Sequence, residues 1–235
     1  MTDKATEVGE QEVRKEVLPR EPLFSAKNRR LVTDPLGDDN PITIQVLGIC
    51  SALAITVQVQ QAVVMSLSVL FVMIAGSTMV SLLRNMIPSR IRIIVQLVVV
   101  ASLVILISEV LKAYLPDIAE RLSVFIGLII TNCIIMGRFE AFAMGNKPFP
   151  SALDATGNAL GYAWILVVVS VVREVFGSGA ISFPGVGQVT FIPESFFEAG
   201  YYNNNLMILP PAALLIIGVI IWVQRTRNPK LVEEA

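Results

Sequence analysis

Two side chains carry most of the chemistry available to this chain, Cys50 and Cys133, and they are its only cysteines. No CxxC pair or Cys/His pattern accompanies them, so neither a disulfide framework of the small secreted kind nor a zinc module is indicated. Histidine is absent altogether, which removes the usual haem ligand, the commonest metal ligand and the common proton shuttle. Metal or redox chemistry therefore falls to thiolates, to carboxylates or to a partner chain. An isolated cysteine in an apolar helix is more often a small buried hydrophobe than a ligand. The placement of these two shifts that balance. Leu-Gly-Ile-Cys at 47–50 answers Ile-Thr-Asn-Cys at 130–133, and later Ser81-Leu-Leu-Arg84 answers Ser170-Val-Val-Arg173 in the same order. If the two thiols face each other, a disulfide, a two-coordinate metal and half of an iron–sulfur site are the options. A complete cluster normally takes four thiolates, so a second chain would have to supply the other two.

Placing such a pair is the task of the apolar segments around it. Hydrophobic residues make up 54% of the chain and charged ones 16%, where a soluble domain carries about 25% charged. A membrane span needs about twenty apolar residues at 1.5 Å rise each. The stretch 42–83 has no charge and no proline and is interrupted by glutamines at 58, 60 and 61, which predicts two spans joined by a tight turn. Further spans are predicted at about 91–115, 122–143, 155–175 and 206–224, six in all. The two motif pairs divide these into repeats at about 41–115 and 120–225, each with three spans. An odd number of spans turns the second repeat upside down relative to the first.

The predicted fold is thus an all-α integral membrane protein: six transmembrane helices in two inverted three-helix repeats, with short or half helices one and four carrying the cysteines. The uncharged parts of spans one and four cover roughly 24 Å against a hydrocarbon core of about 30 Å. Short segments at corresponding positions of two repeats point to a site near the midplane. Cys50 falls about 15 Å in from Asn40, and Cys133 about 18 Å in from Arg121 on the other side, so the two can meet near the bilayer centre.

Residues 1–40 mix acidic and basic side chains with no apolar run. They are neither a signal peptide nor a nucleic-acid-binding arm, and they are expected to be a polar cytoplasmic tail before a membrane domain at 41–235. Lysine and arginine collect in that tail, at Arg84, Arg90 and Arg92, at Arg138 and Lys147, and at Arg225, Arg227 and Lys230. The opposite loops hold Lys112, Arg121 and Arg173. Both termini are therefore expected in the cytoplasm.

Asn40-Pro41 has the composition of a helix start, and Pro210-Pro211 must bend or delay the last span. The loop 177–205, rich in glycine, proline and aromatics, suits an interfacial belt, with subunit docking or a quinone-facing role as the less favoured reading. Glu109, Arg138 and Glu140 are expected at interfaces. Asp154, Asn158, Tyr162 and Glu174 are expected either to line an ion path or to make polar helix contacts. Ser178-Gly-Ala-Ile181 lacks the threonine of a flavin-linked segment and is assigned no role.

The segments 40–54 (Asn-Pro-Ile-Thr-Ile-Gln-Val-Leu-Gly-Ile-Cys-Ser-Ala-Leu-Ala), 92–96 (Arg-Ile-Ile-Val-Gln), 128–144 with its Thr-Asn-Cys-Ile-Ile-Met-Gly-Arg, and 173–179 (Arg-Glu-Val-Phe-Gly-Ser-Gly) carry a resemblance. They resemble the D-type membrane subunits of the sodium-translocating NADH:quinone oxidoreductase (Nqr), within the wider group of Nqr D/E and Rnf A/E membrane subunits. The resemblance covers about residue 40 onward, and the longer tail departs from it. It implies a 2Fe-2S centre with half its ligands, Cys50 and Cys133, from this chain and half from a sister six-helix E-type chain. It also implies an inner-membrane complex completed by the A, B, C and F components. There NAD, flavins and ubiquinone act through the other chains, Na+ is exported, and this chain has no NADH site, no catalytic residue and no nucleic-acid partner. Alternatives are the equivalent Rnf ferredoxin:NAD oxidoreductase component and an inverted-repeat secondary transporter with structural cysteines.

Overall fold

The computed structural model describes residues 26–37, 39–88, 90–114, 127–183, 187–190 and 205–227. In chain order the elements are α1 (Ala26–Thr33), a 3-10 turn (Asp34–Leu36), α2 (Ile49–Ile55), α3 (Val59–Leu83) and α4 (Arg92–Tyr114). Then come α5 (Cys133–Arg138), running into a π-helical turn (Phe139–Ala143), α6 (Pro148–Ser178), β1 (Ala180–Phe183), β2 (Gly187–Thr190), a 3-10 turn (Asn205–Ile208) and α7 (Pro210–Arg227). The described chain is all-α apart from the antiparallel β1–β2 pair, in register Ala180 to Thr190 and Phe183 to Gly187.

Among the described residues three helices, α3, α4 and α6, are long and apolar enough to cross a membrane, and α7 is a shorter apolar helix. The 31 residues of α6 reach about 46 Å, well beyond a hydrocarbon core of about 30 Å. α3 and α6 pack side by side and antiparallel, since the start of α3 meets the end of α6 and the end of α3 meets the start of α6. Val59 N–H donates to Glu174 Oε2 (2.7 Å) at the first junction, and Ser81 Oγ donates to the Asn146 carbonyl (2.5 Å) at the second. The core lies between them, with Val69, Val72 and Met73 of α3, Leu166 and Val169 of α6, and Ile134, Ile135 and Phe139 fully buried. Gly76 admits the Phe139 ring, because a Cβ there would collide with it. On α4, by contrast, Ile93, Ile94, Val98, Ile105 and Leu106 are exposed, the surface that lipid covers in a membrane protein.

The spans predicted at 91–115, 155–175 and 206–224 match α4, α6 and α7, with α6 beginning earlier and α7 starting on the proline pair. The first and fourth differ. Asn40 does accept hydrogen bonds from Ile42 N (3.0 Å) and Thr43 N (3.4 Å), but it caps a single turn. Val46 (φ 58°) and Gly48 (φ 84°) then take left-handed conformations, which break a right-handed helix, so α2 begins only at Ile49. In the fourth segment a helical turn at 127–130 is broken at Thr131-Asn132 before α5 begins. At seven and six residues, α2 and α5 span about 10 Å each.

Part of the segment expected to be a solvated tail packs on the body. Leu31, Val32 and Pro35 lay their backbones on α6 at Gly157 and Gly161, where any Cβ would clash, and Asn40 Nδ2 donates to the Gly161 carbonyl at 3.1 Å. Gly179 ends α6 in the left-handed region (φ 73°), its N–H bonded to the Val175 carbonyl. The Ser178–Ile181 segment is thereby a helix cap leading into β1. Residues 1–25, Arg121, most of the aromatic loop and residues 228–235 lie outside the described chain.

Candidate functional site

Cys50 is the second residue of α2 and Cys133 the first of α5. Their sulfurs stand 3.9 Å apart. Both are free and exposed. What brings them together is the meeting of two helix starts. Gly48, in the left-handed region, precedes α2, and a Cβ there would sit 3.0 Å from the Tyr162 ring, so glycine answers both the conformation and the close approach. Asn132 caps α5, its Oδ1 accepting from Ile134 N–H at 3.4 Å.

Beside each thiol is a buried polar side chain. Ser51 Oγ donates to the Gly48 carbonyl (2.9 Å) and lies 2.7 Å from Tyr162 OH, and Asn132 Nδ2 donates to Ser51 Oγ at 3.3 Å. Ser51, Asn132 and Tyr162 are all fully buried. A fully satisfied buried network of this kind rigidifies what it joins.

Among the described residues no group of three or more cysteine, histidine or acidic side chains is gathered to hold a metal ion. Two thiols 3.9 Å apart nonetheless match the spacing of two sulfur ligands of one soft tetrahedral ion, which at about 2.3 Å from the metal stand about 3.8 Å from each other.

The remaining predicted residues make polar contacts in the described chain. Asp154 pairs with Arg138 through two hydrogen bonds, and Asn158 Nδ2 donates to the Asp154 carbonyl and to its Oδ1. Glu140 pairs with Arg92 at 2.6 Å and accepts from Gln96 Nε2 at 3.3 Å. Glu109 is exposed and paired with Lys112. Tyr162 meets Ser51 of α2, and Glu174 meets the first residue of α3.

Arg173 departs from its expected place. Counted with the loop charges, it is instead a residue of α6 with 1% exposure. Its guanidinium donates to the Leu53 carbonyl and Thr56 Oγ1 past the end of α2, and to the carbonyls of Met207, Ile208 and Leu209. Ser51 and Asn132 stood in the sequence motifs without a role of their own, and Arg173 stood there only as a repeat-motif residue and a loop charge. The signal was present, since a polar side chain inside an apolar segment has to find a partner.

Known proteins share this sequence pattern over most of its length. The family described as "Rnf-Nqr subunit, membrane protein" matches residues 29–221. The chain is 49% identical over 207 residues to the D component of the Na(+)-translocating NADH-quinone reductase of Haemophilus ducreyi, covering 88% of this chain and 97% of that protein. It is also 49% identical over 205 residues to the protein of the same name from Psychromonas ingrahamii, covering 87% and 95%. With a family match across most of its length and near-full-length relatives at this identity, the chain belongs to the Rnf-Nqr family of membrane subunits, among its D-type members.

Proposed function

We propose that the chain is the D-type membrane subunit of a sodium-translocating NADH–quinone reductase in the bacterial inner membrane, and that Cys50 and Cys133 supply two of the four thiolates of an intramembrane 2Fe-2S centre. A sister six-helix chain supplies the other two. The observation that carries this reading is the 3.9 Å pairing of two exposed thiols at the starts of two short helices. Neither a packing role nor a disulfide needs the pair to be open on one side, whereas a ligand set completed by another chain does. When bound, the cluster supplies one-electron transfer across the membrane core.

The chain's own contribution is positional. Cys50 and Cys133 would hold the metal from the first turns of α2 and α5, which the left-handed Gly48 and the Asn132 cap fix in place. α3 and α6 close an apolar core behind the site and so keep water and ions from leaking past it. NADH, flavin and quinone chemistry belongs to other members of the complex.

The same reading extends to an inverted repeat. The motif at 81–84 reaches the connector after α5 through Ser81, and the motif at 170–173 reaches the end of α2 and its connector through Arg173. Corresponding long helices thus brace the connector of the opposite half, as two inverted repeats of one plan would.

The test uses a substitution that barely changes volume. In assembled complexes, Cys50→Ser and Cys133→Ser should each abolish or strongly shift the iron signal and collapse Na+-dependent quinone reduction, because serine is a harder and far less acidic ligand. NADH oxidation by an artificial acceptor upstream should continue. The double variant should be little worse than either single one, as for residues acting as a unit. Normal assembly with near-normal quinone reduction in either single variant would make that cysteine a packing residue and end the electron-carrying reading.

A further inference from the structure

We propose that Ser51 is the positioning residue that sets the separation of the two cysteine sulfurs, acting through a buried hydrogen-bond brace with Tyr162 and Asn132. The proposal rests on the thiolate-site reading above, but it concerns Ser51 and Tyr162, which that reading leaves without a role. Ser51 follows Cys50 and Asn132 precedes Cys133, so the brace ties the two cysteine-bearing helix starts together one residue away from each thiol.

The proton inventory gives Ser51 the central place. Asn132 Oδ1 is committed to Ile134 N–H as the α5 cap, so its amide nitrogen faces Ser51. Ser51 uses its one hydroxyl proton on the Gly48 carbonyl. With that proton on the Gly48 carbonyl, Tyr162 donates into Ser51 Oγ across 2.7 Å, and Ser51 then accepts from both partners. Tyr162 comes from α6, so the brace also anchors the pair to the long helix behind it. The left-handed Gly48 against the Tyr162 ring leaves the start of α2 little freedom to shift.

This directionality makes the three residues unequal. Tyr162→Phe removes one donor and leaves Ser51 still accepting from Asn132. Ser51→Ala strands two buried donors, the Tyr162 hydroxyl and the Asn132 amide, which is the costlier defect. Combining Ser51→Ala with Tyr162→Phe removes one of those orphans, so the double variant should behave better than Ser51→Ala alone.

The experiment reads the sulfur separation twice in the whole complex. In complexes from iron-starved cells, the rate of Cys50–Cys133 disulfide formation is followed with oxidised glutathione, which accepts two electrons and two protons from the thiol pair and leaves as two reduced thiols. In iron-replete complexes, the midpoint potential is followed by electron paramagnetic resonance. Ser51→Ala should slow disulfide formation about tenfold or more and shift the midpoint potential. Tyr162→Phe should stay within about twofold of the unmodified complex, and the double variant should fall between the two.

A Ser51→Ala complex with unmodified disulfide rate and potential would overturn the brace while leaving the thiolate site intact. An altered disulfide rate in complexes whose unmodified form carries no iron signal would uphold the brace and overturn the cluster instead. Should Ser51→Ala fail to accumulate, greater accumulation of the double variant supports the proposal, and equal loss of both overturns it.

Discussion

At the scale of single residues, Arg138 and Asp154 form the most buried ion pair of the described chain. Arg138 and Asp154 retain only 16% and 4% of their side-chain exposure, and the guanidinium also lies 5.8 Å from the Phe142 ring centre. Removing one member of such a pair strands the other in a low-dielectric setting. Asp154→Ala should therefore destabilise the protein by about 3–5 kcal/mol, and Arg138→Ala with Asp154→Ala by clearly less than the two single costs combined. Thermal unfolding of the detergent-solubilised complex, followed through retention of this chain, measures the difference. A double variant as damaged as the sum would mean that the two charges act independently. Arg138 closes α5 and Asp154 lies near the start of α6, so loss of the pair should loosen the end of α5 while leaving its cysteine-bearing start in place.

At the scale of elements, short helices need their ends satisfied by something other than solvent. α2 has seven residues, so its last carbonyls have no intrahelical donors, and no water reaches them in lipid. Arg173 meets part of that need by donating to the Leu53 carbonyl at 3.2 Å and to Thr56 Oγ1, whose own hydroxyl donates to the Ala52 carbonyl, while Glu174 receives the first N–H of α3. One dipeptide of α6 therefore holds both sides of the break between α2 and α3. Arg173→Ala leaves several buried carbonyls unpaired at about 1–3 kcal/mol each, and Arg173→Lys cannot reproduce the fork. Both variants should lower the midpoint of thermal unfolding, the alanine further, and should expose the 56–58 connector to limited proteolysis. Unchanged cleavage there in Arg173→Ala would show that the connector is held by packing alone.

At the scale of the whole molecule, the distribution of lysine and arginine and the break between two halves lead to one expected topology. Burial takes Arg173 from the loop charges of one side and the ion-paired Arg138 from those of the other, so the excess expected on the side of the termini is unchanged. A reporter fused after Ala235 should report cytoplasm, and one inserted near Gly185 should report the opposite side, each judged by alkaline phosphatase and fluorescent-protein fusions. Both reporters on one side would mean a different span count and would remove the basis of the inverted repeat.

Much of this protein was legible in its sequence because it follows from local composition. Charge-free runs marked α3, α4, α6 and α7, since an apolar stretch about twenty residues long has little choice but to form a helix in lipid. The cysteine motifs marked the site because both thiols sit at like places in like contexts. What only the tertiary structure decided is where helices one and four stop being helices. An apolar segment such as 42–55 looks continuous, yet Val46 and Gly48 turn left-handed in the packed chain, with Gly48 close against the Tyr162 ring. The partners of buried polar groups were equally hidden, since Ser51 meets Tyr162 across 111 positions and Arg173 meets Thr56 across 117. Sequence specifies that such groups need partners, and the packing of α3 against α6 selects which ones they find.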